Sequence, residues 1–313
     1  DAPARLPRAD LVIDAAYGTG FRGDHVAPDP GGAPVLAVDI PRGVAGLTGA
    51  VHGRPLRAVR TVTFAALKPG LVLDPGRALA GQVVLADIGL PVGEGPVGLV
   101  ERDDVAAWLP ATPMQTHKWH AAVLVVAGSP RMTGAARLCA RAAQRAGAGM
   151  VRSGSPGIAD DRAQPTESVG VTLPATAGGE AALAASQRCH SVVVGPGLGA
   201  TDDTRAGVQS LLAVDCPLLI DGDGLSVLGR DAGALLGGRT APTVLTPHDG
   251  EFARLAGARP GPDRIEAARG LALATGAVFR TLRFEAFGRA AVLEYAAAGR
   301  TVVLVGWHGQ DLI

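Results

Sequence analysis

The stretch "THKWHAAVLVVAGSPRMTGAARLCARAAQRAGAGMV", residues 116–151, decides the fold class. Its segment "AAVLVVAG", 121–128, is an unbroken apolar run. Such a run suits a strand covered on both faces, as in a parallel sheet. "GSP" ends it, because glycine and proline interrupt a strand. An alanine-rich helix is expected over 133–148. A strand that hands over directly to a helix is the first half of a right-handed βαβ unit.

Working outward, the same design recurs. Strands are expected at "LVIDA" (11–15), "PVLAVDI" (34–40), "RTVTFAA" (60–66), "QVVLADI" (82–88), "SVVVGPG" (191–197), "PLLIDGD" (217–223) and "TVLTP" (243–247). Helices are expected at 103–109, 178–187, 203–213, 249–256 and 263–275. The alternation predicts an α/β protein with open, mostly parallel sheets. The Gly- and Pro-rich stretch between residues 90 and 120 suggests a boundary near residue 99. In open α/β sheets, ligands sit beyond the carboxyl ends of the strands, so function is sought just after each strand.

The chain has 313 residues, 47% of them hydrophobic, with 29 basic and 29 acidic side chains. Balanced charge argues against a nucleic-acid partner held by phosphate contacts. No apolar run reaches bilayer-spanning length, so no membrane partner is expected. Cys139, Cys189 and Cys216 show no metal-ligand spacing, which points to a reducing cytoplasm. Lys68 and Lys118 are the sole lysines. The chain opens at Asp1 almost directly on a strand pattern, as a fragment without its original N-terminus would.

In the first hundred residues, "VIDAAYGTGFRGD" ends a strand at Asp14 and opens a glycine-rich turn. Such a turn lets backbone N–H groups approach a phosphate or ribose, and it also serves as a plain βα turn. "LAVDIPRG" repeats the design, with Asp39 at the strand end. Two aspartates at neighbouring strand tips suit a cation site, a ribose site or an acid/base pair. Lys68, in "LKPG", reads as a solvated loop lysine.

In the remainder, Met132–Ala136 opens a helix whose free N–H groups suit an anion. "SVVVGPGLGATDDTRAG" places Gly195, Gly197 and Gly199 after a strand, with Asp202 or Asp203 as the next helix cap. "PLLIDGDGLSVL" puts Asp221 and Asp223 past a strand end, on one side of an extended segment or as caps. "LTPHDGEFARL", 245–255, sets His248, Asp249 and Glu251 where a strand becomes a helix.

The order of the first set, "DAAYGTG", "DIPRG", "TFAALKPG" and "VLADIGLP", resembles the C-terminal half of the NAD(P)H-hydrate epimerase domain, a Rossmann-like fold. The second set, "HK", "AGSPRMTGAA", "RAGAG", "VVVGPGLG", "DGDGLS" and "TPHDGEFARL", resembles the ADP- or ATP-dependent NAD(P)H-hydrate dehydratase domain, a ribokinase-like fold. Together they are similar to the bifunctional NAD(P)H-hydrate repair family. The resemblance implies two domains: 1–98, a partial Rossmann-like three-layer domain, and 99–313, an incomplete ribokinase-like domain, family-like to about 278 with an unmatched tail 279–313. It implies repair of hydrated NADH and NADPH, by nucleotide-dependent dehydration of the S-hydrate and epimerisation of the R and S hydrates.

Residue roles follow by the same resemblance. Asp14 would help hold potassium, Gly18, Thr19 and Gly20 would contact the hydrated dinucleotide, and Asp39 would meet its reacting end. Ala135, Gly197, Gly199 and His248 would bind substrate. Glu251 falls in the first helical turn, within reach of magnesium or phosphate. ADP or ATP, magnesium and potassium are the implied cofactors, and a homo-oligomer is compatible with this reading.

Four departures limit it. Arg42 stands in place of the potassium-binding serine, and an earlier N-N-G-G-D motif is missing. Asp249 stands where the family commonly has proline. After Val278 the text lacks the lysine–glycine pair and the G-x-G-D loop whose aspartate is the family's catalytic base, so no catalytic residue is identified. Both activities are therefore expected to be incomplete. An altered reading frame near residue 279 or a diverged domain would account for the tail. Another ribokinase-like small-molecule kinase, or a non-catalytic nucleotide-binding or interaction protein, stays open as an alternative.

Overall fold

In the computed structural model the described residues are 3–16, 18, 23–93, 97–99, 101–108, 114–176 and 178–275, with two short strands at 282–284 and 302–303. The chain divides into two compact units. One comprises Asp1–Gly95 with Gly261–Ile265, and the other Pro96–Pro260 with Glu266–Ile313.

The first unit holds a parallel four-stranded sheet, in the order β1 (Val12–Asp14), β2 (Val35–Val38), β3 (Arg60–Phe64) and β4 (Gln82–Ala86). One face is buried through Val12, Val35, Ala37, Thr61 and Thr63. Ile40, Val44, Leu71 and Ala80 form a small core, the last lying on helix α1 (Gly76–Ala80). The opposite face carries Ile13, 60% exposed, and Val84.

The second unit is built on a wholly parallel sheet. Its strands are β5 (Ala122–Val126), β6 (Met150–Gly154), β7 (Ser168–Gly170), β8 (Ser191–Val194), β9 (Leu218–Ile220), β10 (Thr243–Leu245) and β11 (Val302–Val303). They lie in the order β7-β6-β5-β8-β9-β10-β11. Every residue of the interior strand β5 is buried, as the apolar run requires. The order reverses direction between β5 and β8, and such a switch point leaves a crevice at the strand tips.

The helices of this unit are α2 (Arg102–Trp108), α3 (Thr133–Arg145), α4 (Gly178–Ser186), α5 (Asp202–Leu211), α6 (Asp223–Leu228), α7 (Ala232–Leu236), α8 (Asp249–Ala256) and α9 (Arg264–Ala274). They bury two separate cores. Ala136 and Ala140 of α3 pack on Val123, Val125 and Val151. Leu124, Val192, Val194, Leu218, Ile220 and Leu245 form the larger core with Val208, Leu225 and Phe252. Small side chains on α3 let that helix approach the sheet closely.

Several local expectations needed correction. Strands β6 and β7 and helices α1 and α7 were not expected from the pattern. Asp221 and Asp223 do not share an extended segment: Gly222 takes φ 57° and Asp223 opens α6. Asp202 and Asp203 lie in the first turn of α5, whose cap is the Thr201 hydroxyl. That hydroxyl accepts from the Thr204 N–H at 3.2 Å, which relieves one of the orphan donors of the helix start.

Candidate active site

In the second unit, parallel pairing puts the C-terminal ends of β5, β6, β8, β9 and β10 along one edge. The loops there interlock through the backbone. The Gly128 N–H donates to the Pro196 carbonyl at 2.7 Å, and the Gly199 N–H donates to Asp223 Oδ2 at 2.8 Å. Gly195 has φ 123°, and a Cβ there would lie 1.9 Å from the Asp221 carbonyl oxygen. A Cβ on Gly197 would lie 2.8 Å from the Ala135 Cβ and 3.2 Å from the Met132 Cβ. The glycines of "GPGLG" thus allow three loops to close on each other.

His248 stands at the tip of β10 as the N-cap of α8. Its Nδ1 accepts from the Gly250 and Glu251 N–H groups at 2.9 and 3.2 Å. Glu251 Oε2 accepts from the His248 N–H at 2.9 Å, and Glu251 Oε1 lies 3.2 Å from His248 Nε2. This is a capping box with histidine in place of serine or threonine. Nδ1 is thus an acceptor, and Nε2, which faces Glu251, carries the ring N–H. Glu251 is only 6% exposed, and burial pushes its carboxyl above the ordinary range, with the charge of Asp221 adding to the push. The His248 N–H and charge and Arg254 oppose that push. Burial also raises the Cys139 thiol to about 11, so it is no thiolate nucleophile at neutral pH.

In the first unit, the strand tips bring together Asp14, Gly18, Asp39 and Lys68. Lys68 Nζ lies 2.6 Å from Asp39 Oδ1 and donates to the Phe64 carbonyl at 2.7 Å. Lys68 is mostly covered, so the expectation of a solvated loop lysine is overturned. The fixed Phe64 carbonyl and the Asp39 carboxylate draw the ammonium inward. The Thr63 hydroxyl donates to the same Asp39 oxygen at 3.3 Å. Asp39 takes φ 69°, a left-handed conformation that costs a non-glycine residue energy and aims its carboxylate. A Cβ on Gly18 would lie 3.2 Å from Asp39 Oδ2. Asp14 Oδ2 accepts from the Arg42 N–H at 3.0 Å. His25 is pushed below its ordinary range by burial first and then by Arg42, while Asp14 pulls it upward.

Residues 123–280, just over half of the chain, match the family model described as NAD(P)H-hydrate dehydratase. The chain belongs to the NAD(P)H-hydrate dehydratase family. Residues 1–70 match a second model, described as YjeF-related protein N-terminus. The Bifunctional NAD(P)H-hydrate repair enzyme Nnr of Mycobacterium tuberculosis (strain CDC 1551 / Oshkosh) is 43% identical over 86% of this chain and 56% of its own length. The enzyme of the same description from Escherichia coli (strain K12) is 33% identical over 86% of this chain and 54% of its own. The chain thus spans about half the length of the curated relatives it matches. The solved ADP/ATP-dependent NAD(P)H-hydrate dehydratase from Bacillus subtilis, co-crystallized with ATP/Mg2+, is 27% identical over 59% of this chain and 65% of that one, with a TM-score of 0.43.

Within this chain, Ala135 and Gly197 adjoin, and Gly199 is bonded to Asp223. His248 is on the same edge, two strands from β8, about 10 Å at ordinary strand spacing. Asp14, Gly18 and Asp39 belong to the first unit. Thr19, Gly20 and the tail residues Phe284, Phe287 and Trp307 lie outside the residues whose side chains are described. Two contributors have partners that the sequence did not specify. Lys68 was legible as one of two lysines in the chain, and the His248–Glu251 box as H-x-x-E at a helix start.

Proposed function

We propose that this chain binds hydrated NADH or NADPH and serves its repair. The second unit takes the S-hydrate and an adenine nucleotide, ADP or ATP, and the first unit takes either hydrate, with dehydration and epimerisation both incomplete in this chain. The observation that carries the reading is the meeting of the "RMTGAA" turn and "GPGLG" on the sheet edge that also carries "PHDGE", all within the family match. Ala135, Gly197 and Gly199 leave room for the dinucleotide, and backbone N–H groups at the start of α3 favour its phosphates. His248 turns its outer surface to the ligand while its Nδ1 holds the helix. In the first unit Gly18, with Thr19 and Gly20, approaches the dinucleotide, and Asp39 faces its reacting end. In this reading the chain works in the cytoplasm, and a homo-oligomer is a compatible state.

Among the described residues no group of three or more His, Cys, Asp or Glu side chains could hold a metal. Magnesium ordinarily keeps waters and takes one or two carboxylates plus substrate phosphates. In this reading it enters with the nucleotide, and Asp221 at the tip of β9 is the carboxylate placed for it. Potassium fits less well. Asp14 keeps a carboxylate oxygen for it, yet the Arg42 charge acts on His25 together with that of Asp14. A guanidinium there supplies the positive charge that the ion would bring.

Titration calorimetry of the full chain with NADPH and with NADPH hydrate tests the reading. One saturable site or two is expected, and heat no larger than dilution for both compounds overturns it.

A further inference from the structure

In the first unit, two neighbouring strands end in turns of the same unusual build. After β2 the Ile40 N–H donates to the Val38 carbonyl at 2.9 Å, around Asp39 at φ 69°. After β3 the Ala66 N–H donates to the Phe64 carbonyl at 2.7 Å, around Ala65 at φ 61°. Three-residue turns with a left-handed central residue are rare and strained. Among the described residues, Asp39 and Ala65 are the sole non-glycines with a positive φ. The sheet grips both turns. The Asp39 N–H donates to the Val62 carbonyl at 2.7 Å, and the Ala65 N–H to the Ala86 carbonyl at 3.1 Å.

Lys68 joins the two turns. Its Nζ lies 2.6 Å from Asp39 Oδ1 in one and donates to the Phe64 carbonyl at 2.7 Å in the other. The Thr63 hydroxyl donates to the same Oδ1 at 3.3 Å. One oxygen of Asp39 is thereby occupied. The other, Oδ2, accepts no hydrogen bond from any described residue and lies beside Gly18, where a Cβ would stand 3.2 Å from it. A partly covered ion pair adds little net stability, less than two left-handed residues cost. Stability alone does not account for the arrangement. Strain of this kind is kept where a group has to be aimed. A carboxylate paired with an ammonium accepts only, so the partner of Oδ2 is a donor.

We propose that Lys68 is a positioning residue of the first unit's site, locking Asp39 Oδ1 so that Oδ2 meets the ring hydroxyl that distinguishes NADPH hydrate from NADPH. The clamp fixes both strand tips, so the carboxylate is oriented before the ligand arrives. This rests on the reading that the first unit takes the hydrate.

The test needs a signal from the first unit alone. Tyr17 precedes Gly18 in the chain and is one of two tyrosines, so fluorotyrosine labelling gives two signals, which Tyr295→Phe assigns. Affinities for NADPH hydrate and for NADPH are read from the Tyr17 signal in wild type, Lys68→Met and Lys68→Arg. Loss of a contact to a charged group predicts about tenfold weaker hydrate binding in Lys68→Met, with NADPH binding unchanged. Lys68→Arg keeps charge and donors and should recover most of the loss. Hydrate binding to Lys68→Met within about twofold of wild type, or equal losses for hydrate and NADPH, overturns the positioning role and leaves the first-unit reading intact. A wild-type Tyr17 signal unmoved by saturating hydrate overturns both. A wild-type crystal soaked with the hydrate decides the matter even if the variants fail to fold. Ligand density in the first unit with no oxygen or nitrogen within about 3.5 Å of Asp39 Oδ2 also overturns the proposal.

Discussion

Glu251 is a carboxylate that the fold buries and then uses to close its own helix start. Its folded pKa is raised above the ordinary 4.5, chiefly by burial. The folded state therefore binds this proton more tightly than the unfolded state. By linkage, stability falls as pH rises from 4.5 through the raised folded value, and the loss is complete above it. Glu251→Gln keeps an acceptor for the His248 N–H and removes the charge. Melting temperature against pH should lose its downward slope in that window, and a slope unchanged from wild type would show that Glu251 is not its source. His248→Ala removes the acceptor for two amides and should cost about 1 kcal/mol in denaturant unfolding, the usual size for a lost cap. Arg42 makes the other residue-scale prediction. Arg42→Ser should gain a rise in melting temperature in potassium chloride over choline chloride, about 1.4 kcal/mol if the ion is ten times its Kd. Wild type should show none, and equal responses of the two proteins would sink the idea that the guanidinium stands in for the ion.

At the scale of elements, one arginine fastens the entry points of two parallel strands. Arg239 donates to the carbonyls of Leu212, Val214 and Cys216 and, through Nε, to the Thr243 hydroxyl at 2.8 Å. These groups lie after α5, before β9 and at the start of β10. Burial pulls the guanidinium below its ordinary range, and Cys216 and Asp215 act against that pull. Arg239→Met would leave several carbonyls without donors, for a loss of about 3 kcal/mol in denaturant unfolding. Arg239→Lys should recover little, since a single ammonium cannot span the fork. A loss under about 0.5 kcal/mol in both variants would mean that water replaces the guanidinium there. The helices themselves were largely legible in the sequence. The expected 249–256 matches α8, because Pro247 and Gly257 bracket an amphipathic run whose buried apolar members are Phe252 and Leu255, with Glu251 buried beside them. The strand β6 escaped notice because "MVRSG" mixes apolar and polar residues, and its place beside β5 is set by pairing rather than by pattern.

For the whole molecule, binding and turnover are expected to separate. Phosphoryl transfer needs a base within reach of the substrate hydroxyl and donors for the transferring charge. The family resemblance places these after Val278, where residues 279–313 contain no lysine and no G-x-G-D. With NADH hydrate, ADP or ATP and magnesium, the 313-residue chain should recover no NADH absorbance above the spontaneous rate. Nucleotide-dependent recovery that disappears on truncation after Val278 would show that the tail carries a working site. The sequence by itself determined the α/β class, the tips of β1, β2, β5, β8, β9 and β10, and the loops where glycine and acidic residues gather. These are local properties, set by apolar runs, proline stops and the freedom of glycine within a few residues. The tertiary structure decided the partners. Lys68 meets Asp39, Arg137 meets Asp161, and Gly128 meets Pro196 across intervals that no periodicity marks. The strand order places them together. That order is settled by which faces bury apolar area best and by the need of each buried polar group for a partner, which are properties of the folded whole.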